Sequence, residues 1–331
     1  SDAMSDSSKI PDAGPDAAPD TPSIAFADRV TRIAPSPTVA ISSLALDLRA
    51  AGRDVIGLAV GEPDFDTPPH VKEAAIRAIH DGHTRYTQVD GIPELKEAVA
   101  EKFRRENGLD VSAANISVGT GGKQVLFNAL MATVQAGDEV IIPAPYWVSF
   151  AGITEVAGGT PVFLASGFAE GLKLSPERLE AAITSRSRWV IINSPSNPTG
   201  MVYSADELRA FADVIRRHPN LMVISDDLYE HLTYDGFEFS TIAGLAPDLA
   251  DRVVTLNGVS KSYCMTGWRI GFAAAPVPLV KAMAKLQSQS TSSPGSIAQH
   301  AAVAALNGPT EFIAENNAAF ARRRAMVVAA L

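Results

Sequence analysis

The chain has 331 residues, 46% of them hydrophobic, so it is long enough to bury one large core or two smaller ones. A net charge of −9 at pH 7 argues against nucleic-acid and anionic-membrane partners, because nonspecific binding to either needs a positive field. The single cysteine, Cys264, excludes an intrachain disulfide and a zinc site built on several cysteines, and it favours a reducing, cytoplasmic location. No stretch approaches the roughly 20 consecutive apolar residues of a membrane span.

Taken in chain order, the predicted elements begin after a tail. Residues 1–25 are rich in Pro, Asp, Ala and Ser, a composition that predicts disorder. The segment IAPSPTVAISSLALDLRAAG, residues 33–52, has helical apolar spacing between a Ser/Pro start and a Gly stop. Further helices are predicted over 123–134, 205–217 and 278–285, and from near Thr310 to the chain end. Seven short apolar runs alternate with the helical segments: NISVG, EVIIPA, TPVFLA, RWVIINS, LMVISD, RVVTLN and RIGFAAA.

These runs are rich in Val and Ile and lack polar alternation, which is typical of strands buried on both faces. The fold class is therefore α/β, with a mostly parallel sheet covered by helices on both sides. Ligands of such sheets bind beyond the carboxyl ends of the strands. Five of the predicted strands end in residues that can bind a ligand or react with it, namely a glycine turn, aromatic rings, an amide, a carboxylate with a phenol, and an amine. They are TGGK at 120–123, PYW at 145–147, PSNPTG at 195–200, DDLY at 226–229 and GVSK at 258–261.

Two of these groups suit a phosphorylated, planar ligand. A glycine turn that opens a helix presents backbone N–H groups and the positive end of the helix, which favours phosphate, and Arg269 can add a charge-assisted contact. Trp147 offers a flat face to a ring. The alternatives are a purely structural glycine turn and a Trp that belongs to the core.

The other strand ends add a carboxylate and an amine. A buried carboxylate at Asp226 or Asp227 needs a cation, which a protonated ring nitrogen supplies, unless the pair only caps a helix. A desolvated Lys261 with a lowered pKa can form an imine with an aldehyde, unless it is an ordinary surface lysine. An aldehyde with a phosphate and a ring nitrogen describes pyridoxal 5′-phosphate (PLP). No metal is expected.

Five motifs in order, VGEPDFDTP, RYTQVDGIPELKEAVAEKF, SPSNPTG, SDDLYEHL and SKSYCMTGWRIGF, resemble the fold-type I, class I/II aminotransferases. They are most similar to the bacterial aspartate aminotransferase branch that includes prephenate-using enzymes. The resemblance runs from about residue 27 to the end. It implies a type I PLP-dependent transferase fold in which a mostly parallel large domain is joined to a small domain that this chain contains only in part.

The same resemblance assigns the ring-binding residues. It implies that Lys261 is the Schiff-base lysine and that Asp226 holds the ring nitrogen. Tyr229 and Asn197 would hydrogen-bond the ring hydroxyl, and Trp147 would stack on the ring. Trp147 and Asn197 would also lie beside the substrate.

The phosphate is assigned by resemblance to Gly121, Gly122 and Arg269. Tyr86 matches a tyrosine that reaches the phosphate of the neighbouring subunit, which implies a homodimer with shared active sites. Asp227 stands where the family often has Glu.

The implied reaction is ping-pong transamination of an acidic amino acid, aspartate or glutamate, with a 2-oxo acid. Gly61 matches the backbone position that closes over the substrate, and Thr38 and Lys123 match residues associated with dicarboxylic substrates. Because both residues also support prephenate in the family, aspartate and prephenate stay open. A lyase reaction on the same cofactor is a further alternative, since fold does not fix function. A cofactor-sensing module fused to a DNA-binding domain is disfavoured by the acidic N-terminus.

The expected organisation is a disordered tail (1–25), an N-terminal segment of the small domain (26–62), a PLP-binding large domain (63–305), and a connecting helix with the start of the small domain (306–331). The resemblance implies a carboxylate-binding Arg in the C-terminal small domain. After Arg269 the chain has only Arg322, Arg323 and Arg324, in a helix. The chain is then either a fragment of a longer protein or a protein that binds the cofactor and turns over poorly. We expect a fragment, because the last helix ends in mid-pattern on MVVAAL, without a cap or a polar stop.

Overall fold

The computed structural model describes residues 24–331, so the predicted tail lies outside the described residues except for its last two positions. The helices are α1 Asp28–Thr31, α2 Pro37–Ala50, α3 Pro69–His80, α4 Pro93–Asn107, α5 Gly122–Thr133, α6 Ser149–Val156, α7 Pro176–Ala182, α8 Ala205–Arg217, α9 Ile242–Leu245, α10 Val277–Ser288, α11 Ser296–Asn307 and α12 Glu311–Ala330. The strands are β1 Ile116–Thr120, β2 Glu139–Ala144, β3 Thr160–Ala165, β4 Ser187–Asn193, β5 Met222–Asp226, β6 Val253–Gly258 and β7 Ile270–Ala274.

The seven strands form one sheet in the order β1-β7-β6-β5-β4-β2-β3. β7 pairs antiparallel with both β1 and β6, and the other pairs are parallel. The prediction of a mostly parallel α/β sheet is confirmed. All seven apolar runs became strands, because Val- and Ile-rich segments fit a pleated surface that is buried on both sides.

Two hydrophobic cores cover the two faces of the sheet. Val223 of β5 belongs to the first core, with Phe103 of α4 and Phe211 of α8. The next residue, Ile224, belongs to the second, with Met283 of α10. Since successive side chains of a strand point to opposite faces, this alternation places helices on both sides of the sheet, as predicted.

The helix ends follow from local sequence. α8 begins at a capping box in which Ser204 Oγ accepts from the backbone N–H of Glu207 and the Glu207 carboxylate accepts from the N–H of Ser204. The predicted range 205–217 is the observed one because these signals are local. α2 begins at a proline, as predicted, but has no buried residue in this chain. Among the described residues, no helix combines the length and the apolar character that crossing a bilayer demands.

The register of the parallel strands brings their carboxyl ends together. Asn193, the last residue of β4, lies opposite Asp226, the last residue of β5, and Asp226 lies opposite Leu256 of β6. The turn that follows β6 carries Lys261. Polar residues at three successive strand ends therefore face one region.

Candidate active site

A cavity of about 550 Å³ lies at this edge of the sheet. Seven of the residues predicted from the sequence line it: Thr38, Gly61, Trp147, Asn197, Asp226, Tyr229 and Lys261. They come from α2, the segment before α3, the last position of β5, and the loops after β2, β4, β5 and β6. The fold therefore gathers residues that are up to 223 positions apart, from Thr38 to Lys261, around one space.

Lys261 is half-buried in the turn after β6. Its Nζ donates a hydrogen bond to the carbonyl oxygen of Gly61 and lies 5.8 Å from the centroid of the Tyr229 ring. Burial lowers the pKa of the Lys261 ammonium, the Glu62 carboxylate opposes this shift, and the positive charge of Arg269 adds to it. A lowered pKa makes the neutral, nucleophilic amine more accessible at neutral pH.

Asp226 is buried, with 4% of its surface exposed, at the end of β5. Burial raises the pKa of its carboxyl to about 6, while a hydrogen bond from the backbone N–H of Leu228 (3.3 Å) and the charge of Lys261 oppose the shift. Because ionising this carboxyl costs free energy without a cation beside it, a cationic group entering the cavity would be stabilised there.

The adjacent Asp227 does not line the cavity. Its Oδ1 accepts from Ser225 Oγ at 2.7 Å, and burial raises the pKa of its carboxyl well above the ordinary value. Adjacent residues at a strand end point in opposite directions, so only one of the two carboxylates can face the site. Of the two carboxylates, Asp226 is the one that lines the cavity, a choice that the sequence motif without the family resemblance had left open.

Tyr229 and Asn197 meet across the cavity. The Asn197 side-chain amide donates to Tyr229 Oη at 3.3 Å. Burial raises the pKa of the Tyr229 phenol to about 12, with the Asp226 carboxylate contributing and the Asn197 contact opposing. The phenol is therefore neutral at physiological pH and can donate its proton.

Asn193 was missed by the sequence reasoning, although it lies within the predicted strand RWVIINS and ends the observed strand β4. Its Oδ1 accepts from the backbone N–H of Asn197 at 2.7 Å, and its amide donates to the carbonyl of Asp226 at 3.0 Å. It also lines the cavity. A polar residue closing a buried strand beside a sheet edge was the signal available, and it fixes the Asn197 loop to β5.

The glycine turn before α5 packs against Arg269. Gly121 has φ of +83°, and a Cβ on it would collide with the Arg269 guanidinium. A Cβ on Gly271 in β7 would collide with the backbone nitrogen of Gly122. Glycine at these positions lets an arginine and the helix N-terminus approach closely, which is the arrangement that suits phosphate.

A cation–π contact between Lys123 and Trp147 lies beside the cavity. Lys123 Nζ lies over the Trp147 ring, 5.0 Å from its centroid. Burial lowers the pKa of the Lys123 ammonium, and the charge of Arg269 lowers it further. Arg269 lowers the pKa of both Lys123 and Lys261, so the three cations share one field, and an anion bound among them would relieve their repulsion.

Several predicted residues are placed elsewhere. Tyr86 is 94% exposed and does not line the cavity. Arg323 pairs with Asp64 at 2.7 Å and Arg324 with Asp235 at 2.8 Å, while Arg322 is exposed. Phe320 of α12 does line the cavity, and it was missed because a helix far along the chain carries no local signal of this contact.

Comparison with known proteins identifies the family of the chain. Residues 53–331 match the family model described as aminotransferase class I and II. The aspartate/prephenate aminotransferase of Cereibacter sphaeroides is 60% identical over 306 residues, which span 92% of this chain and 76% of the relative. The chain belongs to the class I and II aminotransferases.

Solved structures of class I and II aminotransferases superpose closely. The aspartate aminotransferase of Rhizobium meliloti gives a TM-score of 0.89 at 53% identity, covering 92% of this chain and 76% of that one. The Thermus thermophilus aspartate aminotransferase with maleate also gives 0.89, at 45% identity, covering 92% and 79%. The protein is therefore an aminotransferase, of a family whose reactions depend on PLP.

Proposed function

We propose that this aminotransferase binds PLP in the cavity described above and uses Lys261 to exchange the amino group of aspartate or glutamate with that of a 2-oxo acid. One observation carries the proposal: the neighbouring ends of β5 and β6 bring a desolvated amine, Lys261, and a buried carboxylate, Asp226, to the same cavity. PLP supplies, when bound, an aldehyde that condenses with amines and a protonated ring that withdraws electrons.

The residues present fit that group. The Asp226 carboxylate, whose pKa is raised by burial, suits a protonated ring nitrogen. Tyr229 and Asn197 can donate to a ring hydroxyl, and the face of Trp147 can cover the ring. The turn at Gly121 and the guanidinium of Arg269 would hold the phosphate.

Lys261 would then serve as the acid and base of the reaction. Its amine, once a substrate amine has taken its place, would accept the proton of the substrate α-carbon at Nζ and could release it again as an acid. The Asp226 carboxylate would hold the protonated ring nitrogen of the bound group. The Tyr229 phenol, held by Asn197, would donate a hydrogen bond to the oxygen of the ring hydroxyl and so fix the orientation of the ring.

The substrate class follows from charge. Lys123 lies over Trp147, which lines the cavity, and Thr38 lines the cavity too, so a second carboxylate on the substrate would meet a cation. The Thermus thermophilus relative was solved with maleate, itself a dicarboxylate. Prephenate, named with aspartate for the Cereibacter sphaeroides relative, is the second candidate.

The direct test is an assay of purified protein with PLP, aspartate and 2-oxoglutarate, following oxaloacetate. We expect turnover with these substrates, and a second assay with prephenate as amino acceptor separates the two candidates. Release of ammonia or loss of a β-substituent without transfer of the amino group would instead identify a lyase.

Replacing Arg269 with alanine should weaken PLP binding. Charge-assisted hydrogen bonds contribute about 1.5–3 kcal/mol each, so we expect the dissociation constant to rise roughly 10- to 100-fold. Titration of cofactor-free protein, followed by visible absorbance, measures the change. Arg209→Ala, which removes an exposed arginine paired with Asp206 on α8, is the matched control. Unchanged affinity in the Arg269 variant would reject the phosphate assignment.

Replacing Lys123 with alanine should change substrate preference. We expect kcat/KM for aspartate to fall about 10-fold or more, because a charged hydrogen bond to the distal carboxylate is lost, while kcat/KM for alanine changes little. The ratio of the two constants is the measurement, and it cancels any general loss of active enzyme. An equal fall for both substrates would assign Lys123 to the cofactor or to the fold.

A homodimer and a cytoplasmic location remain part of the proposal. Tyr86 is 94% exposed and lies outside the cavity of its own chain, which suits a contact with the phosphate site of a second copy. α2 also carries Val39, Ile41, Leu44 and Leu46, each more than half exposed.

A further inference from the structure

A polar cluster built on the buried residues Lys102 and Glu230 lies beside the active-site loops, outside the cavity. It comprises Lys102, Glu106, Asn107, Glu230, His231, Asn257 and Ser262, and we call it the Glu230 cluster. Glu230 and His231 follow Tyr229 directly in the chain, and Ser262 follows Lys261. None of these roles was assigned from the sequence, although the SDDLYEHL motif includes two of the residues.

Glu230 connects three elements. Its Oε1 accepts from Lys102 Nζ on α4 and from the Asn257 amide on β6 at 2.9 Å, and its Oε2 accepts from the Asn107 amide at 2.7 Å. The side chains of Lys102 and Glu230 are 1% and 4% exposed. A buried ion pair with these additional hydrogen bonds holds the loop after β5 in one position relative to α4 and β6.

His231 extends the cluster to the turn that carries Lys261. Its Nδ1 lies 2.9 Å from Ser262 Oγ, and its Nε2 lies 3.0 Å from Glu106 Oε2. Burial raises the pKa of the Glu106 carboxyl, but the hydrogen bond from His231 and the charge of Lys102 outweigh it and bring the pKa to about 2. Glu106 is therefore an acceptor, so His231 Nε2 carries a proton and donates to it, while Nδ1 shares a hydrogen bond with the Ser262 hydroxyl.

Two other functions of this geometry are disfavoured. A carboxylate, an imidazole and a hydroxyl in sequence can activate a serine nucleophile, but Ser262 is 7% exposed and does not line the active-site cavity. Glu106, Glu230 and His231 also have the spacing of metal ligands. Lys102 Nζ already contacts both carboxylates, so its ammonium supplies the positive charge that a metal ion would bring.

We propose that His231 is a positioning residue, which binds the Ser262 hydroxyl and thereby holds the Lys261 turn against the loop that carries Tyr229. The inference rests on the proposed function of Lys261. His231 also packs edge-on against Tyr263, with ring centroids 6.3 Å apart, so the ring contacts the Lys261 turn at two successive residues. The role of the cluster is to fix the position from which the Lys261 amine acts, and none of its residues lines the cavity.

The test separates positioning of Lys261 from binding of the cofactor. Cofactor-free protein is mixed with PLP, and the rate of covalent capture is read from visible absorbance. Pyridoxamine 5′-phosphate, which carries the same ring and phosphate but cannot condense with a lysine, gives the affinity. In Ser262→Ala we expect capture to slow roughly five- to tenfold, the effect of one lost hydrogen bond, while the affinity for pyridoxamine 5′-phosphate stays within about twofold.

Two further variants complete the design. His231→Phe keeps an aromatic ring against Tyr263 and removes both hydrogen bonds, so its capture rate should fall at least as far as that of Ser262→Ala. Ser204→Ala removes the helix-capping serine of α8, which does not line the cavity, and controls for a general loss of stability. Unaltered capture in Ser262→Ala, or an equal loss with both ligands, would overturn the inference alone. Wild-type protein that binds neither ligand would overturn the proposed function, and the inference with it.

Discussion

Replacing Lys261 with alanine is expected to abolish both covalent attachment of PLP and transamination. In the proposed reaction this amine both attaches to the aldehyde and moves the α-proton as the base, and a positioned acid–base group alone contributes about 10²- to 10⁴-fold. We expect kcat to fall by about 10⁴-fold or more. The visible absorbance of the bound cofactor should also lose the component that borohydride reduces onto the protein.

Two controls isolate the chemistry of the amine. Lys261→Arg keeps a positive charge but cannot be deprotonated in a protein, so it should be as inactive as the alanine variant. Lys281→Ala, an exposed lysine on α10, should behave like the wild type. A Lys261→Ala protein that still carries a borohydride-stable cofactor would mean that another lysine is the attachment site.

Replacing Asp226 with asparagine is expected to lower activity while raising the stability of the cofactor-free protein. Asparagine fills the same space but cannot stabilise a protonated ring nitrogen, so we expect kcat to fall by about 10²-fold or more, on the scale of lost electrostatic stabilisation. In the cofactor-free protein the ionised Asp226 carboxylate lowers the stability of the folded state, since burial raises the pKa of this carboxyl from 3.8 to about 6.

The pH dependence of stability fixes the sign of this effect. Below pH 3.8 the carboxyl is protonated in both the folded and the unfolded state, and it contributes no pH-dependent difference. As the pH rises from 3.8 through about 6, the unfolded state ionises first, so the folded state loses about 2–3 kcal/mol. The asparagine side chain does not titrate. In urea unfolding of the cofactor-free proteins, the Asp226→Asn variant should therefore become more stable relative to the wild type as the pH rises through this window. A stability difference independent of pH would contradict the raised pKa.

The sequence predicted the fold because its signals are local. Each Val- and Ile-rich run formed a strand, and α8 covers the predicted range 205–217. The antiparallel direction of β7 was not predicted, because it depends on how a short turn after Lys261 returns the chain into the sheet.

The cavity residues were predictable where strand ends supplied them. Asp226, Asn197 and Lys261 follow buried strands, and parallel register forces such ends together. The choice of Asp226 over Asp227 needed the observed side-chain directions or a family resemblance. The contribution of Phe320 depends on where α12 packs, which no local pattern encodes.

The Glu230 cluster could not be predicted from the sequence for a different reason. From the sequence, Lys102 would be taken for a solvent-exposed charge on an amphipathic helix, but its side chain is only 1% exposed. Its partner Glu230 lies 128 residues away, and His231 lies 31 residues from Ser262. Composition and periodicity give no register between such distant positions, so buried polar contacts between loops appear only in the folded structure.

Mapping the residue to which the cofactor attaches tests directly whether Lys261 is the reactive amine. The protein is loaded with PLP, reduced with borohydride and digested with trypsin. Attachment at Lys261 blocks cleavage there, so we predict one modified peptide spanning residues 253–269, VVTLNGVSKSYCMTGWR. A modification on any other peptide, or cleavage after Lys261 in fully loaded protein, would contradict the account.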